Sequence, residues 1–449
     1  MISLARKLRL ADFFSLGFGT MIGVGWLVVM DDWLVRGGPL GAILGFVIGG
    51  AVLLPIGLVY GHLVRAMPDA GGEIAYTAAV FPRRVSFATG WMMLLAYFIV
   101  CPWEAVAIGR IAGYLFPGLN SPELYRIAGK PVYLPHLVIG LALTAFLTLL
   151  NYRGIRLSAI FQNWTTFGVI ALVLSFVSAG VKHGSSENFR PLFNGSALVS
   201  VFLVLQIVPY FMTGFESIGK ASEEASADFQ PRRFMMAIML AILVGVGFYV
   251  TVIAAVAYVA PWQTIVHERF ATAVAFERAL RSPWTVRLIM TAALLSLLKV
   301  FNGNLVAASR LLFALGRRGL ADQHLGHVHP INRTPSTAVI CIGIATAVVM
   351  LGGESMLVPI SEVGSLASAL GWMASCAAYL RMRPSSLGQA GAATGLVVTS
   401  LMILMKVLPR VPGHFSIYEW TSLALWILLG IMLRRKFEPG EALVIKERI

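Results

Sequence analysis

Apolar residues in this chain run in long, nearly uncharged segments, and this pattern restricts the fold more than any other feature. Each segment is on the order of 20 residues, the length that a helix needs to cross a bilayer. Lipid offers backbone N–H and C=O groups no hydrogen-bond partner, so a spanning segment must satisfy them internally, as a helix does. Only 12% of the residues are charged, about half the share usual in soluble domains. The sequence therefore predicts an all-α membrane protein.

About twelve membrane spans of this length can be read from the sequence. We number them one to twelve in chain order. They lie near residues 11–35, 39–64, 86–116, 135–152, 158–180, 197–220, 235–260, 284–314, 336–352, 355–380, 390–408 and 416–433.

The basic residues lie at the ends of these spans and not in one patch. The net charge of +14 therefore does not indicate nucleic acid as a partner, and it fits the positive-inside rule for a protein surrounded by membrane lipid. That rule predicts that both termini are cytoplasmic. Because the tails are short and the loops compact, we expect the cytoplasmic (inner) membrane of a bacterium.

Span one contains a run of glycines that makes a continuous helix unfavourable. Gly17, Gly19, Gly23 and Gly25 fall within nine positions, and each costs about 1 kcal/mol relative to Ala. A helix broken inside the membrane frees amides and carbonyls that can hold a ligand, as in transporters with discontinuous helices. The alternative is close helix packing of the small-xxx-small type.

Span six carries a second interruption, at the position expected for an inverted repeat of five helices. Pro209 has no N–H, so the carbonyl of Leu205 loses its helical partner. Gly214 then permits a backbone that other residues resist. We predict a ten-helix transport core over residues 1–380, with repeats at about 11–180 and 197–380. Spans eleven and twelve and a cytoplasmic tail would occupy residues 381–449.

Four segments, in this order along the chain, resemble the amino acid–polyamine–organocation (APC) superfamily of secondary transporters. Each is weak alone, whereas the ordered set is specific. Spans eleven and twelve add almost nothing to it. The segments are Gly19–Gly25, Met67–Tyr76, Thr213–Ser217 with Glu223 and Glu224, and Ser309–Ala314 with Arg317–Gly319.

The resemblance implies a site for a zwitterion between the two broken helices. Amides at the start of a half-helix stabilise a carboxylate, and carbonyls at the end of one stabilise an ammonium. The chain departs from the family at Val24, where a small hydroxyl residue is usual, so only the amide remains there. By resemblance, the amides of Gly23, Val24 and Gly25 bind the carboxylate, and the carbonyls of Tyr210, Phe211 and Thr213 bind the amine. We add Ile22 and Gly214, which lie at the breaks, and the intramembrane Glu104 to the predicted substrate-binding residues.

Two aromatic residues beside the breaks are candidate gates over the substrate. Phe215 stands where the resemblance implies an occluding ring, and Trp26 follows the first break. Tyr210 is a further candidate. Ordinary helix packing is the alternative for Trp26 and Tyr210.

Ionisable residues inside the spans are functional candidates, because each costs about 3 kcal/mol to insert. Lys299, in span eight, could replace with its ammonium the sodium ion that bridges helices one and eight in sodium-coupled relatives. The alternative is a structural ion pair with Glu104, which follows the kink expected at Pro102. Glu104 could also contact substrate or carry a proton, and Glu216, after the second break, could serve in coupling or gating.

Charged residues at the two ends of the spans are weaker candidates. Arg110 and Glu362 could form an external gate, with a solvated vestibule as the alternative. A cytoplasmic cluster could close an inner gate or simply be a solvated loop. Its members are Glu223, Glu224, Asp228, Arg232 and Arg233.

Other classes of function find less support in the sequence. Cys101, Cys341 and Cys376 are dispersed in apolar spans, and the His residues lack metal-ligand spacing. We therefore predict no catalytic residue, metal ligand or cofactor. The absence of a phosphate-binding loop argues against ATP-driven transport.

We therefore expect a secondary transporter that moves an amino acid by alternating access. Proton coupling or exchange is favoured over sodium coupling because of Lys299. Two alternatives stay open, a carrier of polyamines or cationic amines with Glu104 as an anionic anchor, and a sensor that binds an amino acid without moving it.

Overall fold

The computed structural model describes residues 3–268, 270–411 and 414–434. The tail from residue 435 onward, which we predict to be cytoplasmic, lies outside the described residues. The helices are Leu10–Met21, Gly25–Val28, Met30–Ala66, Glu73–Ala78, Arg83–Phe98, Val100–Leu115, Leu134–Arg153, Ile155–Val181, Ala197–Leu205, Val208–Met212, Ser217–Lys220, Arg232–Val259, Ala271–Leu280, Pro283–Arg317, Ser336–Val349, Gly353–Arg381, Ser386–Val407 and Ile417–Leu433.

The helical content confirms the prediction of an all-α membrane protein. Among the described residues, nine helices are long and apolar enough to cross a membrane, or ten if a bent pair in span six is one span. Two shorter apolar helices, Ser336–Gly352 and Ile417–Leu433, fall on spans nine and twelve. The count of twelve spans and the inverted repeat stay predictions.

A short β-hairpin between spans three and four was not predicted. Strand β1, Glu123–Ile127, pairs antiparallel with strand β2, Lys130–Tyr133. The connection is Ala128-Gly129, and both residues have positive φ, 47° and 78°. This is the backbone that a two-residue hairpin turn requires. The signal in the sequence is a single glycine, which is too weak to identify a hairpin by itself.

Span one is broken where its glycines predicted. The helix ends at Met21, Ile22 is extended with ψ 95°, and a new helix begins at Gly25. Span one ends at Gly38, whose φ is +64°, and span two follows directly.

Span six is broken twice. Its first helix ends at Leu205, because Pro209 has no N–H to donate to the carbonyl of Leu205. The two helices on either side of this break are bent by 45°. The second break follows Met212, where Thr213 is extended and Gly214 has a φ of +139°.

The two breaks are in contact with each other at Gly214. A Cβ atom at this position would lie 2.6 Å from the backbone nitrogen of Met21 and 2.8 Å from the carbonyl carbon of Thr20. Both neighbours are backbone atoms, so they cannot move aside as the end of a side chain can. Glycine is therefore required at residue 214 by its φ and by the close approach of span one.

Aromatic rings from four spans hold the outer half of span one against span six. Trp33 packs edge-on against Phe211 with ring centroids 4.8 Å apart, and against Tyr249 of span seven at 5.4 Å. Phe46 of span two completes the group, 4.8 Å from both Trp33 and Tyr249. This packing fixes the position of the residues that follow each break.

We expect Gly214→Ala to destabilise the protein by about 2 kcal/mol or more, because strained backbone and overpacking each cost about 1–3 kcal/mol. The measurement is the Tm of the purified protein in detergent. The control is Gly247→Ala in span seven, where an added Cβ meets no heavy atom within 4 Å. That variant should melt with the wild type or slightly above it. Equal melting of both variants would contradict the close contact of the two breaks.

Candidate functional site

A cavity of about 260 Å³ lies between the two broken helices and spans three, eight, ten and eleven. Most of the predicted substrate-binding residues line it, whereas Ile22 and Gly214 lie behind its wall. Its lining residues are Thr20, Met21, Gly23, Val24, Gly25, Val28, Val29, Asp32, Arg36, Ala96, Val100, Trp103, Glu104, Gln206, Ile207, Tyr210, Phe211, Thr213, Val300, Asn304, Glu362, Gly364, Ser365, Ser368 and Lys406.

Backbone amides at the break of span one face this cavity. Gly23 and Val24 precede the helix Gly25–Val28 and Gly25 begins it, so their N–H groups have no intrahelical acceptor. An added Cβ at Gly25 would lie 2.5 Å from the ring of Phe211, so the glycine lets span six approach. These amides can donate to an anionic group in the cavity.

The carbonyls freed at the same break accept hydrogen bonds from span eight. Ser296 Oγ donates to Gly23 O at 2.7 Å, and Asn304 Nδ2 donates to Thr20 O at 3.2 Å. Lys299 Nζ donates to Ile22 O. A cation is favourable there because the carbonyl end of a half-helix carries partial negative charge.

Glu104 lies close to the first break but does not pair with Lys299. An added Cβ at Gly23 would lie 3.2 Å from Glu104 Oε1. Among the described residues, no oxygen of Glu104 lies within 4.0 Å of the Lys299 ammonium. The structural ion pair that we considered for Lys299 is thus absent in this conformation. Glu104 is 3% exposed, and its Oε2 atom has no hydrogen-bond partner among the described residues.

The helix of span three is divided near Pro102, as expected. It is interrupted at Ile99, because Pro102 cannot donate to the carbonyl of Phe98. This interruption directs Glu104 toward the cavity wall. The proline kink was therefore a usable signal in the sequence.

The carbonyls of span six are partly occupied by the protein itself. Tyr249 Oη donates to Phe211 O and to Met21 O, each at 3.3 Å. Tyr249 therefore joins the two breaks. It was not predicted, because nothing in span seven distinguishes this tyrosine from a packing residue.

The two predicted gating aromatics are fully buried outside the cavity. Trp26 stacks on Phe176 with ring centroids 5.9 Å apart. Phe215 packs between Tyr60 and Trp372, at 5.8 and 5.6 Å. Their role in gating stays a prediction.

Two ion pairs lie at the mouth of the cavity. Arg36 contacts Asp32 at 2.7 Å, and Lys406 of span eleven contacts Glu362 at 2.5 Å. Glu362 thus has a partner that the sequence did not indicate, while Arg110 lines a separate cavity with Lys130 and His136. Span eleven contributes to the site although it carried no family motif.

Glu216 belongs to a buried cluster on the far side of the second break. Its Oε2 atom accepts from Gly214 N at 3.1 Å. Lys220, one turn later, donates to Glu216 O at 3.1 Å and pairs with Glu73 at 2.5 Å. Glu73, Glu216 and Lys220 are all fully buried. We did not predict Lys220 or a role for Glu73, although a lysine so close to a helix break was a signal.

Ion pairs close the end of the molecule that the charge distribution assigns to the cytoplasm. Glu224 forms two hydrogen bonds with Arg310, at 2.9 and 3.0 Å, and both residues are buried. Glu223 pairs with Arg317. Glu223 and Glu224 of the predicted cytoplasmic cluster therefore pair with the end of span eight.

Asp69, before span three, joins the same closure through Arg317 and Arg318, at 3.3 and 2.6 Å. Burial alone would raise the pKa of its carboxyl. The guanidinium groups of Arg318 and Arg317 and the amide of Gly71 outweigh that effect and hold the pKa below its ordinary value of 3.8.

The family model described as amino acid permease matches residues 8–433 of the chain. The chain belongs to this family. The branched-chain amino acid permease BcaP of Bacillus subtilis (strain 168) is 27% identical over 96% of this chain and 92% of its own. The methylthioribose transporter of the same organism is 25% identical, over 99% and 96%. Its aspartate-proton symporter is 25% identical, over 74% and 65%.

These matches confirm the resemblance to the APC superfamily. This permease is therefore an integral membrane protein from a family of amino acid transporters. The relatives differ in the substrates that their names give, so family membership does not identify the substrate of this chain.

We expect Asp69→Asn to leave the shape of the pH profile of transport unchanged between about pH 5 and 8. A lowered pKa means that the ion pairs of Asp69 contribute fully above its ordinary value of 3.8, and weaken only as the pH falls through the lower folded value. Partly exposed ion pairs contribute about 1 kcal/mol or less, so the rate should change by less than ~5-fold. Uptake measured across this pH range in proteoliposomes is the test. A shifted midpoint would contradict it.

Proposed function

We propose that this permease is a secondary transporter of a zwitterionic amino acid, driven by protons through alternating access. The observation that carries the proposal is the pair of breaks facing one cavity, with amides of Gly23–Gly25 on one wall and Tyr210, Phe211 and Thr213 on another. A substrate with a carboxylate and an amine would satisfy both walls. The freed amides and carbonyls would replace the water that the carboxylate and the amine of the substrate lose on entering the membrane.

The charges around the cavity favour a substrate without net charge. The two ion pairs at its mouth are internally neutral, which leaves Glu104 and Lys299 as one buried acid and one buried base beside the cavity. A zwitterion adds no net charge to this arrangement, whereas a diamine adds positive charge that Glu104 alone would have to neutralise. This argument favours an amino acid over the polyamine alternative.

The cavity walls favour an apolar side chain on that amino acid. Val100, Trp103, Ile207 and Val300 line it. The name of the relative BcaP, a branched-chain amino acid permease, agrees with such a substrate.

Lys299 is proposed to act in place of a bridging cation. Its ammonium reaches from span eight to Ile22 O of span one. Span five, near residues 158–180, contains no lysine that could supply a cation instead. A protein-borne cation would make sodium unnecessary. The name of the aspartate-proton symporter agrees with proton coupling in a relative.

The direction of opening supports alternating access. Asp32, Arg36 and Glu362 at the cavity mouth are partly exposed, while the Glu224–Arg310 pair at the opposite end is fully buried. With the termini in the cytoplasm, this is a conformation open toward the outside and closed toward the inside.

We expect apolar L-amino acids to raise the Tm of the purified protein, because a ligand that binds only the folded state stabilises it by RT ln(1 + [L]/Kd), about 2.7 kcal/mol at 100 Kd. The matched amines without a carboxylate, and the matched acids without an amine, should raise it less. Stabilisation by diamines alone would contradict the zwitterion site. In that case Glu104→Gln should abolish the response to diamines.

We expect wild-type uptake in proteoliposomes to be independent of sodium, and Lys299→Met to lower it by at least ~10-fold, since a single charged hydrogen bond contributes about 1.5–3 kcal/mol. Lys182→Met, which removes an exposed lysine, is the control and should retain full uptake. Unchanged uptake by Lys299→Met, or a sodium requirement in the wild type, would remove Lys299 from the mechanism.

A further inference from the structure

Lys220 is the centre of a buried polar cluster that the cavity does not include. Its Nζ atom donates to Glu73 Oε1 at 2.5 Å, to Glu216 O at 3.1 Å and to Tyr97 Oη at 3.3 Å. Tyr60 Oη donates to the same oxygen of Glu73 at 2.8 Å. All five residues are fully buried. We call them the Lys220 cluster.

The Lys220 cluster connects five segments of the chain. Tyr60 comes from span two, Tyr97 from span three, and Glu216 and Lys220 from span six, while Glu73 begins the short helix Glu73–Ala78. Span ten adds Ser375, whose Oγ donates to Tyr60 Oη at 3.0 Å. An opening of the inner end that displaced span six relative to these neighbours would have to rearrange these contacts.

The cluster holds two carboxyl groups but one ammonium. A buried charge without a partner is strongly unfavourable, so a dry cluster favours a neutral sum. Neutrality requires one of the two carboxyl groups to carry a proton. The groups that face the pair are Tyr60, Tyr76 and Tyr97, the neutral Ser375 and Trp372, and, beyond Tyr76, Asp69, which is already paired with Arg317 and Arg318.

Hydrogen bonding indicates which carboxyl group carries the proton. Glu73 accepts from both Lys220 and Tyr60, as an ionised carboxylate does. The Glu216 carboxyl accepts one backbone N–H, from Gly214, and no bond from the Lys220 ammonium, while one oxygen of each carboxyl, Glu216 Oε1 and Glu73 Oε2, has no partner among the described residues. A neutral cluster would therefore place the proton on Glu216, the carboxyl that the ammonium does not contact.

We propose that the Glu73–Lys220 pair is the charge-balancing element of proton coupling, which lets Glu216 carry the transported proton next to the break of span six. This inference rests on the proposed proton-driven transport. When the O–H bond of Glu216 breaks and the proton leaves to water, the cluster holds two carboxylates for one ammonium. That state is stable only when water enters, so proton release requires the inner end to open. Glu73 and Lys220 act through Glu216 and are positioning residues.

The test is amino acid accumulation by the full-length protein in proteoliposomes under an imposed proton gradient, with counterflow exchange measured in parallel. In Glu73→Gln, Lys220 is free to neutralise Glu216, so no proton is needed there. We expect at least a ~10-fold loss of gradient-driven accumulation, with exchange retained within ~3-fold. Glu216→Gln should behave in the same way.

The double variant Glu73→Gln/Lys220→Met removes both charges of the pair and leaves Glu216 as the remaining carboxyl. The proposal predicts that the double variant regains the gradient-driven accumulation that Glu73→Gln alone loses. The effects of the two substitutions on accumulation would then be non-additive, which is what a double-mutant cycle measures. Glu73→Asp, which keeps the charge, should retain accumulation and its pH profile. Glu187→Gln, which removes an exposed carboxylate, is the matched control.

Three results would overturn the proposal. One is gradient-driven accumulation by Glu73→Gln at the wild-type level. Another is a double variant that folds and exchanges but does not accumulate. A third is loss of folding, seen as a lost Tm transition, in both variants, which would make the pair structural. If the wild type exchanges amino acids without responding to the gradient, proton coupling fails while amino acid transport stands; if it neither binds nor exchanges them, the proposed function fails.

Discussion

The need to satisfy backbone groups that are freed inside the membrane determines the rest of this structure. Breaking spans one and six leaves amides and carbonyls without helical partners, where no lipid group can replace them. Span eight supplies Ser296, Lys299 and Asn304 to the carbonyls of span one, and span seven supplies Tyr249 to both breaks. The amides of Gly23–Gly25 are the groups left facing the cavity. The protein therefore caps the carbonyl side of the first break itself, whereas its donor side has no acceptor among the described residues.

This division explains why buried charges gather on both sides of the breaks. A cation such as Lys299 is stabilised by the carbonyl end of a half-helix, and Glu104 can remain buried because that cation is near. On the other side, Glu216 caps the amide of Gly214, and Lys220 follows one turn later with Glu73 as its counterion. Each charge would be unfavourable alone in the membrane. Each is retained beside a group of opposite sign or beside the end of a helix.

The sequence predicted the all-α architecture and both breaks, which bring seven of the nine predicted substrate-binding residues to the cavity, because these features depend on local rules. Glycine density, the missing N–H of Pro209 and the length of apolar runs act within one segment. The partners of the charged residues could not be predicted in the same way. Lys220 with Glu73, Glu362 with Lys406, and Glu224 with Arg310 join residues far apart in the chain, and several bases were available to each acid. The hairpin at Glu123–Tyr133 was missed because its turn is marked by one glycine.

A single backbone contact separates the two charged clusters. Gly214 lies against the backbone of Thr20 and Met21, the carbonyl of the next residue, Ile22, holds Lys299, and the amide of Gly214 itself is bound by Glu216. A ligand that draws the amides of Gly23–Gly25 toward itself must shift this contact or be limited by it. Coupling between distant sites requires one element whose alternative positions both sites bias. Under the proposed function the crossing of the two breaks would be such an element, because a shift of either chain there changes a hydrogen bond to an ionisable side chain.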